Sequence, residues 1–79
     1  MCTREIYNNS TLIKNNDKYT IYCNGQNVAQ FYNEHAKTLL DCFDNEYKNC
    51  EAILYFYKEE WKAIQIFRQD GELVLLARF

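Results

Sequence analysis

The stretch from Val28 to Tyr47 most constrains what this chain can fold into, because its apolar residues recur every three or four positions. That spacing is typical of one face of an amphipathic helix, with charged residues between the apolar ones as the solvent face. It predicts one helix from about residue 28 to about Lys48, with Asn27 as the N-cap and Asn49 as a left-handed cap after its end. The apolar positions are Val28, Phe31, Tyr32, Ala36, Leu39, Leu40, Phe43 and Tyr47.

The dipeptide Asn24-Gly25 leaves two alternatives at the start of this stretch. Asn-Gly between apolar segments favours a two-residue hairpin, in which residues 26–32 return as a strand and Val28 lies opposite Ile21. An intermediate solution has a short return strand followed by a helix capped by Asn33. We expect the helix from about residue 28, because the three-and-four spacing continues well beyond the hairpin.

The rest of the chain is typical of strands and turns. Asp70-Gly71 predicts a two-residue hairpin that places Phe67 opposite Val74 and Ile66 opposite Leu75. Asn8-Asn9-Ser10, Asn15-Asn16-Asp17 and Lys58-Glu59-Glu60 are expected to be turns. The expected strands are residues 3–7, as a short edge strand, and residues 11–14, 18–23, 51–57, 61–68 and 72–79.

These elements predict one α+β domain over residues 1–79. An antiparallel sheet of about five strands would carry one helix across one face, in the order β-β-α-β-β-β. Alternation places Ile64, Ile66, Leu73, Leu75 and Ala77 on the face beneath the helix. The opposite face receives Trp61, Ala63, Phe67, Val74 and Leu76, and so is too apolar to be simply solvated.

Composition narrows the function. The net charge of -2 argues against a general nucleic-acid binder, which carries a basic patch. No apolar run approaches the roughly 20 residues of a membrane-spanning helix. The four cysteines have no CxxC spacing and no preceding signal peptide, so we expect reduced thiols in the cytoplasm. The absence of Pro and the abundance of Asn, Lys and Tyr are typical of AT-rich coding.

No catalytic, cofactor-binding or metal-binding residues are predicted. His35 is the one imidazole, and no partner for it as a general base is evident. Cys42 lies among carboxylates that disfavour a thiolate, whereas Cys50 is expected to be exposed. The chain has two glycines and hence no Gly-rich phosphate loop.

We therefore expect a non-enzymatic protein-binding module that docks an aromatic sheet face with an acidic rim on a larger host protein or ribonucleoprotein complex. Size and composition favour a phage or mobile-element inhibitor of the anti-CRISPR or anti-restriction type, acting sterically. The alternatives are a homodimeric structural or regulatory domain and a small nucleic-acid-binding domain that stacks bases on its aromatics. The expected partner-binding residues are Tyr55, Tyr57, Glu59, Glu60, Trp61, Phe67 and Leu76.

Overall fold

A computed structural model describes residues 2–38 and 46–79, and within them seven strands form one antiparallel sheet. The sheet order is β3-β2-β1-β5-β6-β7-β4, and the sheet curls into a half-barrel. A 3₁₀ turn at Asn33–His35 links β3 to β4. The strands are β1 Cys2–Asn15, β2 Lys18–Cys23, β3 Gln26–Tyr32, β4 Ala36–Thr38, β5 Glu46–Tyr57, β6 Glu60–Phe67 and β7 Leu73–Arg78.

The predicted α+β fold is therefore wrong, because the described part of the chain contains no α-helix. Residues 28–32 belong to β3, residues 33–35 form the 3₁₀ turn, residues 36–38 form β4, and residues 46–47 begin β5. The remainder of the expected helix, which includes Cys42, lies outside the described residues. The curled sheet buries apolar side chains against itself, so residues 2–38 and 46–79 enclose a core without contributing a helix to cover it.

The hairpin alternative at Asn24-Gly25 explains why the helix does not start there. Both residues have positive φ values, 53° and 76°, as a type I′ two-residue turn requires. The chain then returns as β3 beside β2, with Ile21 opposite Ala29 rather than the expected Val28. The difference of one position arises from an irregularity in the pairing next to Ile21.

The core lies on the inner side of the curl and follows strand alternation. Its aromatic part includes the stacked rings of Tyr19 and Phe31, whose centroids lie 5.1 Å apart. The buried apolar residues are Leu12, Tyr19, Ile21, Ala29, Phe31, Cys50, Ala52, Leu54, Ile64, Ile66, Val74, Leu75 and Ala77.

The first strand is longer than expected and lies at the centre of the sheet rather than at its edge. The turn expected at residues 8–10 is a bulge within β1, where Asn9 adopts a left-handed φ of 56°. β1 pairs with β5 on one side along most of its length and, through residues 11–15, with β2 on the other.

A matching bulge interrupts β5, and the two bulges belong to an internal repeat. Residues 7–10 read Tyr-Asn-Asn-Ser, and residues 47–50 read Tyr-Lys-Asn-Cys. Asn49 has a φ of 59°, close to that of Asn9. Each bulge opens a three-stranded meander, β1-β2-β3 or β5-β6-β7. Six of the seven strands thus form two similar halves joined at β1 and β5, and β4 is added at the edge beside β7.

The pairing between β1 and β5 has the two-fold symmetry that such a repeat implies. Ser10 and Cys50 are equivalent residues separated by 40 positions, and they pair with each other. One residue pair lies on each side of this central pair, and a shift of 40 positions converts each of them into the other. These flanking pairs are Tyr7 with Ala52 and Leu12 with Tyr47.

A hairpin between β6 and β7 is confirmed, but its loop consists of Gln69, Asp70 and Gly71 rather than the predicted two residues, because the Arg68 backbone N–H bonds to the Glu72 carbonyl. Ile66 lies opposite Leu75, as predicted, and Gly71 adopts a φ of 92°. Next to the turn the pairing shifts by one residue, so that Phe67 lies opposite Leu73 instead of Val74. Val74 is consequently buried, whereas the expected core residue Leu73 is only half-buried.

The two ends of the sheet approach each other through an aromatic contact. The 3₁₀ turn carries the chain from β3, at one end of the strand order, to β4 at the other. The ring of Phe79, after β7, lies 6.3 Å from that of Phe31 on β3 and 5.2 Å from that of His35. Phe79 therefore helps to hold the curled sheet together across its opening.

Candidate functional site

The solvent-facing side of the central strands carries a mainly apolar row of side chains, with Gln65 within it and Lys37 at its β4 end. The strand register places Ile6, Ile53, Gln65, Leu76 and Lys37 side by side across β1, β5, β6, β7 and β4. These residues alternate with the buried core positions, so they lie on the face opposite the core. We call this face, with the rows next to it, the outer face.

The neighbouring row adds an aromatic residue between two arginines. Arg4 pairs with Tyr55, Tyr55 with Ala63, and Ala63 with Arg78. The Tyr55 hydroxyl donates a hydrogen bond of 2.8 Å to Oε1 of Gln65. This bond directs the phenol across the sheet towards the apolar row, so the ring presents a defined surface to solvent.

The outer face includes two of the four large hydrophobic residues that are exposed in the described part of the chain. Ile6 is 48% exposed and Tyr57 is 44% exposed, while Ile53, Tyr55, Phe67 and Leu76 are half-buried. Contiguous exposed apolar residues rimmed by polar ones are typical of protein interaction sites. The cations lie at the lateral margins of the outer face, on β1, β7 and β4.

The structure brings together five of the seven residues predicted as partner-binding. Phe67, beside Glu51, completes the outer face at one end, and Tyr57 pairs with Glu60 at the other. Tyr55 and Leu76 lie between them. Glu59 is exposed in the adjoining turn, with a left-handed φ of 68°.

Trp61 does not lie with these residues. It pairs with Phe56, and its ring centroid is 6.5 Å from that of Phe56 and 6.2 Å from that of Phe79. The Trp61 side chain is half-buried and packs against the core. Trp61 therefore contributes to the inner aromatic cluster rather than to the outer face.

A cleft of about 520 Å³ lies where the two bulges approach the β6–β7 turn. Ile53 and Phe67, which belong to the outer face, form its apolar lining. The remaining lining residues are polar or lie in the turn. They are Asn8, Asn9, Asn49, Cys50, Glu51, Arg68, Gln69 and Gly71.

Ion pairs hold the turn beside this cleft. The Arg68 guanidinium contacts the Asp70 carboxylate and lies 3.5 Å from that of Glu72. The Glu72 backbone N–H and the Arg68 side chain hold the pKa of Asp70 below its usual range. The Arg68 backbone N–H also donates a 2.8 Å hydrogen bond to the Glu72 backbone carbonyl. The positive charge of Arg68 is thus largely compensated within the turn.

Cys50 is buried, contrary to expectation. Its thiol donates a 3.2 Å hydrogen bond to the Ser10 carbonyl, and its side chain is 1% exposed. Burial raises its pKa to about 11, so the thiol is protonated at neutral pH and is a poor nucleophile. His35 is exposed in the 3₁₀ turn, where its Nε2 lies 3.6 Å from a carboxylate oxygen of Glu34.

In the described ranges, 2–38 and 46–79, no three His, Cys, Asp or Glu side chains converge in a way that could hold a metal ion. The same residues contain no helix with the length and apolar character needed to cross a bilayer.

Sequence reasoning missed Arg4 and Ile6 on the outer face and the three asparagines of the cleft. Arg4 and Ile6 were assigned to an edge strand, and only the long-range pairing of β1 with β5 places them beside Tyr55 and Ile53. The sequence does contain a signal for the bulges, since the motif Tyr-x-Asn followed by a small polar residue occurs at residues 7–10 and 47–50.

Comparison of the chain with protein-family models, with curated proteins and with solved structures yields no match. The function is therefore inferred from the geometry of the outer face and the cleft.

Proposed function

We propose that this protein is a non-enzymatic binding module that docks its outer face on a larger protein and acts by covering that protein's surface. The observation that carries the proposal is the row Ile6, Ile53, Gln65 and Leu76, with Tyr55 beside it, on the side of the sheet opposite the core.

The composition of the outer face supports a protein partner. Tyr55, Tyr57 and Phe67 are rigid aromatic side chains of the type that dominates the energy of protein interfaces. Because they project from neighbouring strands of one sheet, little conformational entropy is lost when they are buried by a partner.

The charges define the partner's complementary surface. Arg4 lies at the β1 margin, and Arg78 and Lys37 lie at the opposite margin, whereas Glu59 and Glu60 flank the Tyr57 end. A matching partner has an apolar centre with carboxylates on two sides and basic groups on a third. Such charge pairs at the rim increase the association rate and fix the orientation more than they increase affinity.

The experiment is site-specific photo-crosslinking in cells that carry the gene. A photoreactive phenylalanine analogue replaces Leu76 on the outer face or, as a matched control, Tyr32, which is 51% exposed on β3. We expect one protein adduct from position 76 and none from position 32. Substitution Leu76→Asp should then weaken binding of the purified partner at least about tenfold, the loss of about 1.4 kcal/mol.

Any other crosslinking result would exclude a specific protein partner for the outer face. Equal adducts from both positions, or none from position 76, would show that the outer face has no specific protein partner. Adducts between two copies of the chain would identify a homodimer, which sedimentation would show as concentration-dependent mass. Adducts with nucleic acid, lost on addition of salt, would identify base stacking on the aromatic residues.

A further inference from the structure

We propose that the cleft between the two bulges and the β6–β7 turn is a binding site for a neutral saccharide. The inference concerns a second ligand, which would share Ile53 and Phe67 of the outer face with the proposed protein partner but is tested in the absence of that partner. Its volume of about 520 Å³ lies within the range of roughly 300–1,000 Å³ found for small-molecule sites.

Most of the cleft's lining residues that have a hydrogen-bonding side chain are amides. Asn8, Asn9, Asn49 and Gln69 each provide two N–H donors and a carbonyl acceptor. A ligand that matches several amides must itself donate and accept hydrogen bonds at several points. Hydroxyl groups do both, so a polyhydroxylated ring is well suited to this lining.

The charge of the cleft selects against phosphate and other anions. Arg68 is the one cation in the lining, and its guanidinium contacts the carboxylates of Asp70 and Glu72. Glu51 adds a negative charge to the lining itself. An anionic ligand would therefore meet a carboxylate without a free compensating cation, whereas a neutral ligand avoids this repulsion.

The apolar residues of the lining can pack against the ring of a bound sugar. Phe67 and Ile53 are both half-buried and offer an aromatic and an aliphatic surface. The C–H face of a sugar ring is apolar, so burying it here gains hydrophobic free energy while its hydroxyls reach the amides. The amide residues come from β1, β5 and the β6–β7 turn, so they surround the cleft on several sides. This arrangement suits a sugar, whose hydroxyl groups point outwards in several directions, better than a flat nucleobase with one polar edge.

The internal repeat places an equivalent residue of each half in this cleft. Asn9 and Asn49 adopt the same left-handed backbone conformation, and both line the cleft. Glycine meets that backbone requirement at lower steric cost. Substitution by glycine therefore keeps the bulge and removes only the amide, which separates a ligand-binding role from a backbone role.

The test is titration of the ¹⁵N-labelled full chain, observed by NMR, with glucose, galactose, N-acetylglucosamine and their neutral β-linked oligosaccharides. We expect saturable shifts confined to residues of the cleft. The double variant Asn9→Gly/Asn49→Gly should raise the Kd at least about tenfold, as expected when a buried hydrogen bond is lost. The control Asn16→Gly alters another left-handed asparagine, φ 59°, in the β1–β2 turn outside the cleft, and should leave the Kd unchanged.

Three results would overturn the inference: no saturable shifts with any of these sugars, shifts outside the cleft, or an unchanged Kd in the double variant. Stronger binding of adenosine monophosphate than of every neutral sugar would also overturn it, since that ligand is an anion. The crosslinking result at Leu76 is read separately, because Leu76 does not line the cleft.

Discussion

Ser10 and Cys50 face each other across β1 and β5, and each is the residue that follows a left-handed asparagine in its half of the repeat. The Cys50 thiol donates to the Ser10 carbonyl at 3.2 Å, and the Ser10 hydroxyl donates to the Tyr7 carbonyl at 2.9 Å. Both side chains are buried. The symmetry centre of the sheet is thus a small polar pair in which each buried donor is satisfied.

The burial of Cys50 makes the stability of the protein sensitive to alkaline pH. The thiol ionises near its ordinary pKa of 9.0 in the unfolded chain but at about 11 in the folded one. Between these values the folded state binds more protons, so the free energy of unfolding decreases as pH rises, by up to roughly 1.4 kcal/mol per pH unit. Below pH 9 this contribution is fully present.

Urea unfolding at several pH values between 7.5 and 10.5, under reducing conditions, measures this effect. The variant Cys50→Ser keeps a small donor and removes the thiol, so its stability should decrease less over the same range. Burial also raises the pKa of Tyr7, which contributes in the same direction to both proteins. Parallel pH profiles for the two proteins would show that Cys50 does not titrate differently on folding.

The turns were predictable from sequence because their chemistry is local. Asn24, Gly25 and Gly71 occupy turn positions with positive φ values, which asparagine and glycine tolerate best. The helix was wrongly predicted because apolar residues lie on both faces of β3 and recur after the 3₁₀ turn. Together they give the spacing of three and four that is typical of a helix. Tyr32 was assigned to the buried stripe but is exposed, whereas Ala29, which lies outside that stripe, is buried.

The outer face was predicted in part, because strand alternation assigns some of its residues correctly and fails at the bulge at Lys62. Alternation from the Asp70-Gly71 hairpin places Phe67 and Leu76 on one face, and this holds. It also places Trp61 there, but Lys62 is an extra residue in the pairing between Ala63 and Trp61. Such a bulge reverses the alternation beyond it and is set by the neighbouring strand, so it has no signal in the local sequence.

The turn at Lys58-Glu59 is predicted to be a site of stored strain. Both residues have positive φ, 52° and 68°, which disfavours side chains with a Cβ atom. Replacement by Asn-Gly, the preferred type I′ pair, should increase the free energy of unfolding by about 1 kcal/mol. Thermal unfolding measures the gain, and Lys58→Ala/Glu59→Ala, which keeps a Cβ atom at both positive-φ positions, serves as a control without that gain. A lower melting temperature for the Lys58-Glu59 variant would contradict the argument.

The inner position of Trp61 predicts that Trp61→Ala acts on stability. Removing this ring leaves a cavity beside Phe56 and Phe79, and we expect a loss on the order of 3 kcal/mol in the free energy of unfolding. Tyr57→Ala, at an exposed aromatic residue on the outer face, should change it by less than about 0.5 kcal/mol. Urea unfolding of the two variants measures both losses and shows whether Trp61 is an inner residue. Similar values for both would place Trp61 on the surface.

Leu75 and Leu76 are adjacent in β7 and test the assignment of the two faces directly. Leu75 is fully buried opposite Ile66, whereas Leu76 is half-buried on the outer face opposite Gln65. Leu75→Asp places an unpaired carboxylate in the core and should prevent folding at neutral pH. Leu76→Asp should fold, with a cost of about 1 kcal/mol, and should lose binding to the protein partner. Circular dichroism and NMR dispersion of the two variants distinguish these results, and a folded Leu75→Asp with an unfolded Leu76→Asp would reverse the two faces of the sheet.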